Sequence, residues 1–160
     1  MIQKNIVVNF QEYKSIDDLD SLDKELVEKA IVAGSNAYSP YSNFHVGAAA
    51  KLGNGNIICG NNQENAAYPS GLCAERTALF YANANFPDQK IESLVILGEK
   101  NGEALKDIVT PCGACRQVIW ESQNRQKSPI RIILASKNKV MIFDDINQLL
   151  PFSFDDSLLK

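Results

Sequence analysis

Two short runs, Cys73-Ala-Glu-Arg-Thr-Ala-Leu-Phe-Tyr-Ala82 and Thr110-Pro-Cys-Gly-Ala-Cys115, bracket a dense apolar stretch, Ser93-Leu-Val-Ile-Leu-Gly98. The first run is rich in helix formers. The second opens a predicted short helix over residues 112–121. The apolar stretch is short and lacks polar interruption, as a strand buried on both faces does. Further apolar strands are predicted at 130–135 and 140–143. A strand, a helix and a strand in succession permit parallel pairing through a crossover.

Working outward, residues 22–37 read as a helix. Leu22, Leu26, Ala30 and Ala33 or Ala37 share one face, with Val27 and Ile31 beside it. Pro40 disfavours helix at the residue before it and ends the run. Residues 45–52 are small and apolar, and 57–59 resume as a strand after Gly53-Asn-Gly-Asn56, a strong turn signal. Together they form a hairpin. Ile6, Val8 and Phe10 alternate with polar neighbours, so a strand is expected over 5–12. Residues 99–111 read as a polar loop and 145–150 as a helical turn. The order is β-α-β-β-α-β-α-β-β. It implies an α/β fold: a three-layer α/β/α sandwich around a mixed, roughly five-stranded sheet.

The chain has 160 residues, enough for one domain with a hydrophobic core and too few for two ordinary ones. Lys+Arg total 16 and Asp+Glu 19, a net charge of 16 − 19 = −3. That balance lacks the basic footprint of a nucleic-acid binder. No apolar run approaches the roughly 20 residues of a membrane span, and the first residues lack a secretory pattern. A cytoplasmic protein is expected. There a disulfide is disfavoured, and metal or catalytic use of the four cysteines is the better reading.

Cys73 and the Cys112/Cys115 pair each fall at a predicted helix start, where partial positive charge favours thiolate, the zinc-binding form. A Cys-x-x-Cys pair can place both sulfurs on one ion, and Cys73 makes three protein ligands. Catalytic zinc sites keep three and leave the fourth position open. Glu75, two residues beyond Cys73, can reach that position without ligating. A structural zinc knot, or cysteine clusters unrelated to metal, would be the better reading of a lone Cys-x-x-Cys. It gives no reason for Glu75 or for Pro111 before the pair.

The chain resembles the small, homotetrameric type of zinc-dependent cytidine deaminase from about residue 37 to 154. The matching runs are Tyr38-Ser-Pro-Tyr-Ser-Asn-Phe44, Val46-Gly-Ala-Ala49, Asn62-Gln-Glu-Asn-Ala-Ala-Tyr68, Cys73-Ala-Glu-Arg-Thr-Ala78 and Pro111-Cys-Gly-Ala-Cys-Arg-Gln117. The resemblance implies a cytidine-deaminase-like fold over residues 1–160, with 1–20 an extension beyond the usual family start. It implies one Zn²⁺ per subunit on Cys73, Cys112 and Cys115. The implied reaction is hydrolysis of cytidine and 2′-deoxycytidine to uridine and 2′-deoxyuridine with release of ammonia, in pyrimidine salvage. Zinc-activated water would attack C4 while Glu75 shuttles protons.

Further roles follow from the resemblance alone. Phe44 would pack on the substrate, and Asn62 and Glu64 would hydrogen-bond the ribose 3′-hydroxyl. The Ala74 N–H and the Thr110 carbonyl would address the base. Tyr68 would lie near the pocket, and Phe154 would enter a neighbouring subunit's site, with Phe152 close by as the competing candidate. Arg76 and Gln117 would tune the metal, offsetting the net −1 of three thiolates on Zn²⁺. His45 reads as a strand-edge or loop residue, Cys59 as a buried small hydrophobe, and Phe80, Tyr81, Phe86 and Trp120 as core or interface. Membrane and nucleic-acid partners are not expected. Two alternatives stand beside this reading: a zinc deaminase with another target, such as a blasticidin-like nucleoside or a polynucleotide base, and a non-catalytic zinc module.

Overall fold

The computed structural model describes residues 1–155, 157 and 159. Its elements are β1 (Gln11–Tyr13), α1 (Ser21–Ser35), β2 (His45–Leu52), β3 (Ile57–Asn61), α2 (Ala74–Asn85), β4 (Ile91–Lys100), β5 (Glu103–Ala104), α3 (Gly113–Gln126), β6 (Arg131–Ala135) and β7 (Val140–Phe143). They form one mixed sheet in the order β1-β7-β6-β4-β2-β3, with β5 paired to the end of β4. β4 and β6 are parallel, Ser93 facing Arg131 and Leu97 facing Ala135. The remaining strand pairs are antiparallel. The sheet has seven strands rather than about five, because the short β1 and the two-residue β5 join it.

The period of two along the central strands sorts side chains onto two faces. Leu94 and Ile96 of β4, with Ile132 and Leu134 of β6, pack against Ala74, Ala78, Leu79 and Ala82 of α2 and Ile119 of α3. Val95, Leu97, Ile133 and Ala135 pack on the other face against Leu26, Val27 and Ala30 of α1. Both faces are covered, which is why the central strands carry no polar alternation. Each buried Leu or Ile contributes about 1.5–3 kcal/mol, so this double layer dominates stability.

Two glycines let the helices approach the sheet closely. A Cβ on Gly47 would lie 1.8 Å from the Ala30 carbonyl oxygen of α1. One on Gly60 would lie 2.5 Å from the Ala74 oxygen and 2.6 Å from the Ala78 nitrogen of α2. The contact at Gly60 seats the first turn of α2 against β3. Asp20 caps α1 by accepting from the Asp23 N–H at 2.9 Å.

Three sequence expectations are corrected. The first strand covers 11–13 rather than 5–12, because its partner β7 offers only four residues; Ile6, Val7 and Val8 are exposed and Phe10 leans on Phe143. Cys59 is exposed, because β3 is the sheet's edge strand. Leu22 is also exposed, so the buried face of α1 begins at Asp23 and Leu26. Among the described residues, no helix is long and apolar enough to cross a membrane.

Candidate active site

Cys73 and Cys112 occupy the N-cap positions of α2 and α3, and neither side chain makes a capping hydrogen bond. N-caps are usually Ser, Thr, Asp or Asn, whose oxygens satisfy the helix's first N–H groups. Here both thiols are free for something else. Cys115, in the first turn of α3, is buried beside them. The three sulfurs lie within 4.8 Å of one another, with Cys73 and Cys112 4.0 Å apart. Zn–S bonds of about 2.3 Å in a tetrahedron put sulfurs about 3.8 Å apart. Separation and donor set both fit one zinc ion, with no fourth side chain from the described residues in the cluster.

The electrostatics favour thiolate at this corner. The hydrogen bond from Cys115 is the main influence bringing the Cys73 thiol down to about 5, and the Arg76 guanidinium adds to it. The same shared proton pushes Cys115 up. Arg76 donates from Nη2 to the Cys73 sulfur at 3.7 Å and to the Gly71 carbonyl at 3.4 Å. Its Nε is buried without a partner among the described residues.

Glu75 is only 4% exposed, yet it lines the same cavity as Cys73 and Cys112. Burial pushes its carboxyl above the ordinary carboxylate range. A carboxyl group held this way keeps a proton more readily than an exposed one. The cavity measures about 730 Å³, within the range of small-molecule sites. Phe44, Asn62, Glu64, Tyr68, Arg76 and Thr110 also line it, together with Tyr41, Leu72 and Val109. Ala74 is wholly buried in the first turn of α2.

The loop carrying Phe44 hangs from the chain beyond β3. The Asn62 amide accepts from the Val46 N–H at 2.8 Å and donates to the Phe44 carbonyl at 2.8 Å. The Glu64 carboxylate accepts from the Tyr41 N–H at 2.9 Å, the Ser42 N–H at 3.2 Å and the Ser42 hydroxyl. These bonds hold its carboxyl below the usual range, the Ser42 hydroxyl most of all.

Gln117 and Phe154 lie outside this lining. The Gln117 amide donates to the Phe154 carbonyl at 2.7 Å and accepts from the Phe154 N–H at 3.2 Å. The Phe154 ring is exposed, as is that of Phe152. His45 opens β2 with Nδ1 3.2 Å from Glu99 Oε2. Sequence reasoning misses Glu99; the available signal is an acid directly after the apolar run 94–98. Cys59, on the edge strand, is not in the cluster; its sulfur lies 3.9 Å from the Lys29 carbonyl of α1.

The family model described as the cytidine and deoxycytidylate deaminase zinc-binding region matches residues 20–128. A cytidine deaminase of Halalkalibacterium halodurans is 45% identical over 96 residues, 60% of this chain and 68% of that protein. A solved cytidine deaminase of Burkholderia pseudomallei superposes with a TM-score of 0.68 at 37% identity, covering 82% of this chain and 98% of its own. Another, from Mycobacterium tuberculosis, gives 0.67 at 29% identity over 85% of this chain and 99% of its own.

Proposed function

This chain belongs to the zinc-binding cytidine and deoxycytidylate deaminase family, and from that premise we propose that it hydrolyses the 4-amino group of cytidine and 2′-deoxycytidine, giving uridine or 2′-deoxyuridine and ammonia in pyrimidine salvage. The observation that carries this reading is one cavity lined both by thiols of the cysteine cluster and by the buried Glu75.

Cys73, Cys112 and Cys115 would hold the zinc. When bound, zinc supplies Lewis acidity, enough to bring the pKa of water from about 16 to about 7. Glu75 takes one proton from the attacking water and delivers it to pyrimidine N3, then takes that water's second proton from the new C4 hydroxyl and delivers it to the amine, which leaves as ammonia. One carboxyl thus serves as base and then acid, and burial, by raising its pKa, favours its holding the proton between the two steps. The N–H of Ala74 and the carbonyl of Thr110 address the polar edge of the base. Arg76 draws charge from the Cys73 sulfur.

The substrate class follows from charge and hydrogen-bonding capacity. The charged residues in the lining are Glu64, Glu75 and Arg76, and Arg76 is turned to sulfur. Among the described residues of the lining nothing cationic is left over for a 5′-phosphate, which favours a nucleoside over a nucleotide. The Asn62 side chain spends one of its two N–H groups on Phe44 and keeps one donor. Glu64 accepts three bonds and keeps about one lone-pair site. A ribose 3′-hydroxyl can accept from the first and donate to the second. Phe44, 42% exposed, offers a face for the pyrimidine.

The reading extends to a homotetramer of one-domain chains, residues 1–160, with 1–20 as an added segment, acting in the cytoplasm. It is supported by Phe154, whose exposed ring lies outside its own chain's cavity and is available to a neighbour's.

The test is turnover of cytidine, deoxycytidine, their 5′-monophosphates, free cytosine and a cytosine-containing oligonucleotide by zinc-replete protein. Both nucleosides should be consumed, and the other compounds at least tenfold more slowly. Equal rates on the oligonucleotide, or no nucleoside turnover, would reject the assignment.

A further inference from the structure

Glu99, near the end of β4, has its side chain wholly inaccessible. One carboxyl oxygen accepts from the Gly102 N–H, and the other lies 3.2 Å from His45 Nδ1. α1 seals it from the other side, since a Cβ on Gly34 would lie 3.0 Å from the Glu99 Cβ. A buried acid with two partners loses stability sharply when one is removed, because the freed oxygen cannot return to water.

Neither partner lines the pocket, but each leads along the chain to residues that do. His45 follows Phe44 directly. Its backbone neighbours, Phe44 O and Val46 N, are the two groups bound by the Asn62 amide. The Phe44 turn is therefore tethered through Asn62, just beyond β3, and from β4 through His45 and Glu99. Gly102, with φ of 79°, turns the chain into the segment bearing Val109 and Thr110. That segment packs back on β4 next to Glu99: a Cβ on Gly98 would meet Leu105 at 2.6 Å and Val109 at 2.8 Å.

We propose that Glu99 is a positioning residue for nucleoside binding: through His45 it holds the Phe44 side of the pocket, and through Gly102 it holds the Val109–Thr110 side. The inference rests on the nucleoside-deaminase reading and assigns Glu99 and His45 no part in proton transfer or in holding metal. Losing the tether loosens the walls that grip the ligand, while Glu75 and the three sulfurs stay on α2 and α3.

The experiment measures cytidine kcat and KM, uridine affinity by calorimetry, and zinc content. The variants are His45→Ala, His45→Asn, Glu99→Gln and the double variant His45→Ala/Glu99→Gln. His45→Ala should raise KM and the uridine Kd roughly tenfold, the worth of one strong hydrogen bond, with kcat and zinc content close to wild type. His45→Asn, whose amide can still donate to Glu99, should recover most of the loss. The double variant should be no worse than His45→Ala, because the glutamine oxygen can still accept from the Gly102 N–H and the contact between the two residues is the only one both substitutions remove. Unchanged KM and uridine affinity in His45→Ala, even with a lowered melting temperature, would reduce the pair to fold stability and overturn the proposal. So would losses that multiply in the double variant. Should Glu99→Gln fail to fold, the partly exposed His45 position decides alone. Turnover by wild type with no response at His45 sinks this inference only. No wild-type turnover, with uridine binding still weakened by His45→Ala, sinks the deaminase reading instead.

Discussion

Arg76 donates to the sulfur of Cys73 from the next turn of the same helix, at 3.7 Å. Three thiolates around Zn²⁺ carry a net charge of −1, which opposes the acidity the reaction needs. A guanidinium bonded to one of those sulfurs would withdraw part of that charge. Arg76→Ala should therefore lower kcat by about 10–100-fold and weaken zinc retention against a chelator. Wild-type kcat in zinc-loaded Arg76→Ala would show that the contact with sulfur is electrostatically idle.

The clamp of Gln117 on Phe154 is a contact with the tail backbone, made through both ends of the amide. Gln117→Ala should speed amide exchange at Phe154 at least roughly tenfold, since each lost bond contributes about 0.5–1.5 kcal/mol. Zinc content should not change. A drop in bound zinc would instead put Gln117 to work at the metal.

Glu64 supplies a pH dependence whose sign is fixed. Its folded-state carboxyl is held below the usual range by Ser42 and Tyr41. Such a group stabilises the loop above its unfolded value, and that contribution fades as pH falls through the lowered folded value. The Tyr41 and Ser42 amide resonances should titrate with a midpoint below that of an ordinary glutamate, and the titration should vanish in Glu64→Gln. A midpoint at or above the ordinary value would mean these bonds do not form in solution.

Asp23 joins α1 to β6 through a two-pronged pair with Arg131, both N···O distances being 2.7 Å. Asp23 is buried while Arg131 is one-third exposed, so solvent screening moderates the loss. Asp23→Ala should cost about 2 kcal/mol, or roughly 6 °C in Tm, without changing KM. A variant as stable as wild type would show that the pair contributes only geometry.

What the sequence disclosed and what it hid have distinct causes. The gathering of Cys73, Cys112 and Cys115, with Glu75 on the same cavity, was readable because each motif's spacing falls within a single helix turn. The sheet core was readable because residues 93–98 and 130–135 are buried on both faces and carry no polar alternation. Edges were harder. Ile6, Val8 and Phe10 alternate like a strand, yet a strand forms only where a partner exists, and β7 offers Val140–Phe143 alone. Cys59 looked like a core residue, but its strand has a neighbour on one side only. The tether from Glu99 to His45 spans 54 positions, and no local pattern announces such a contact. The same holds for the grip of Glu64 on Tyr41 and Ser42, 23 and 22 residues away.

The account depends most on Glu75 moving protons without holding the metal. Its direct test is zinc content and cytidine turnover of Glu75→Ala beside wild type. The variant should bind as much zinc as wild type on its three sulfurs, while kcat falls by at least about 10²–10⁴-fold. Turnover within a few-fold of wild type, or zinc lost together with activity, would contradict it.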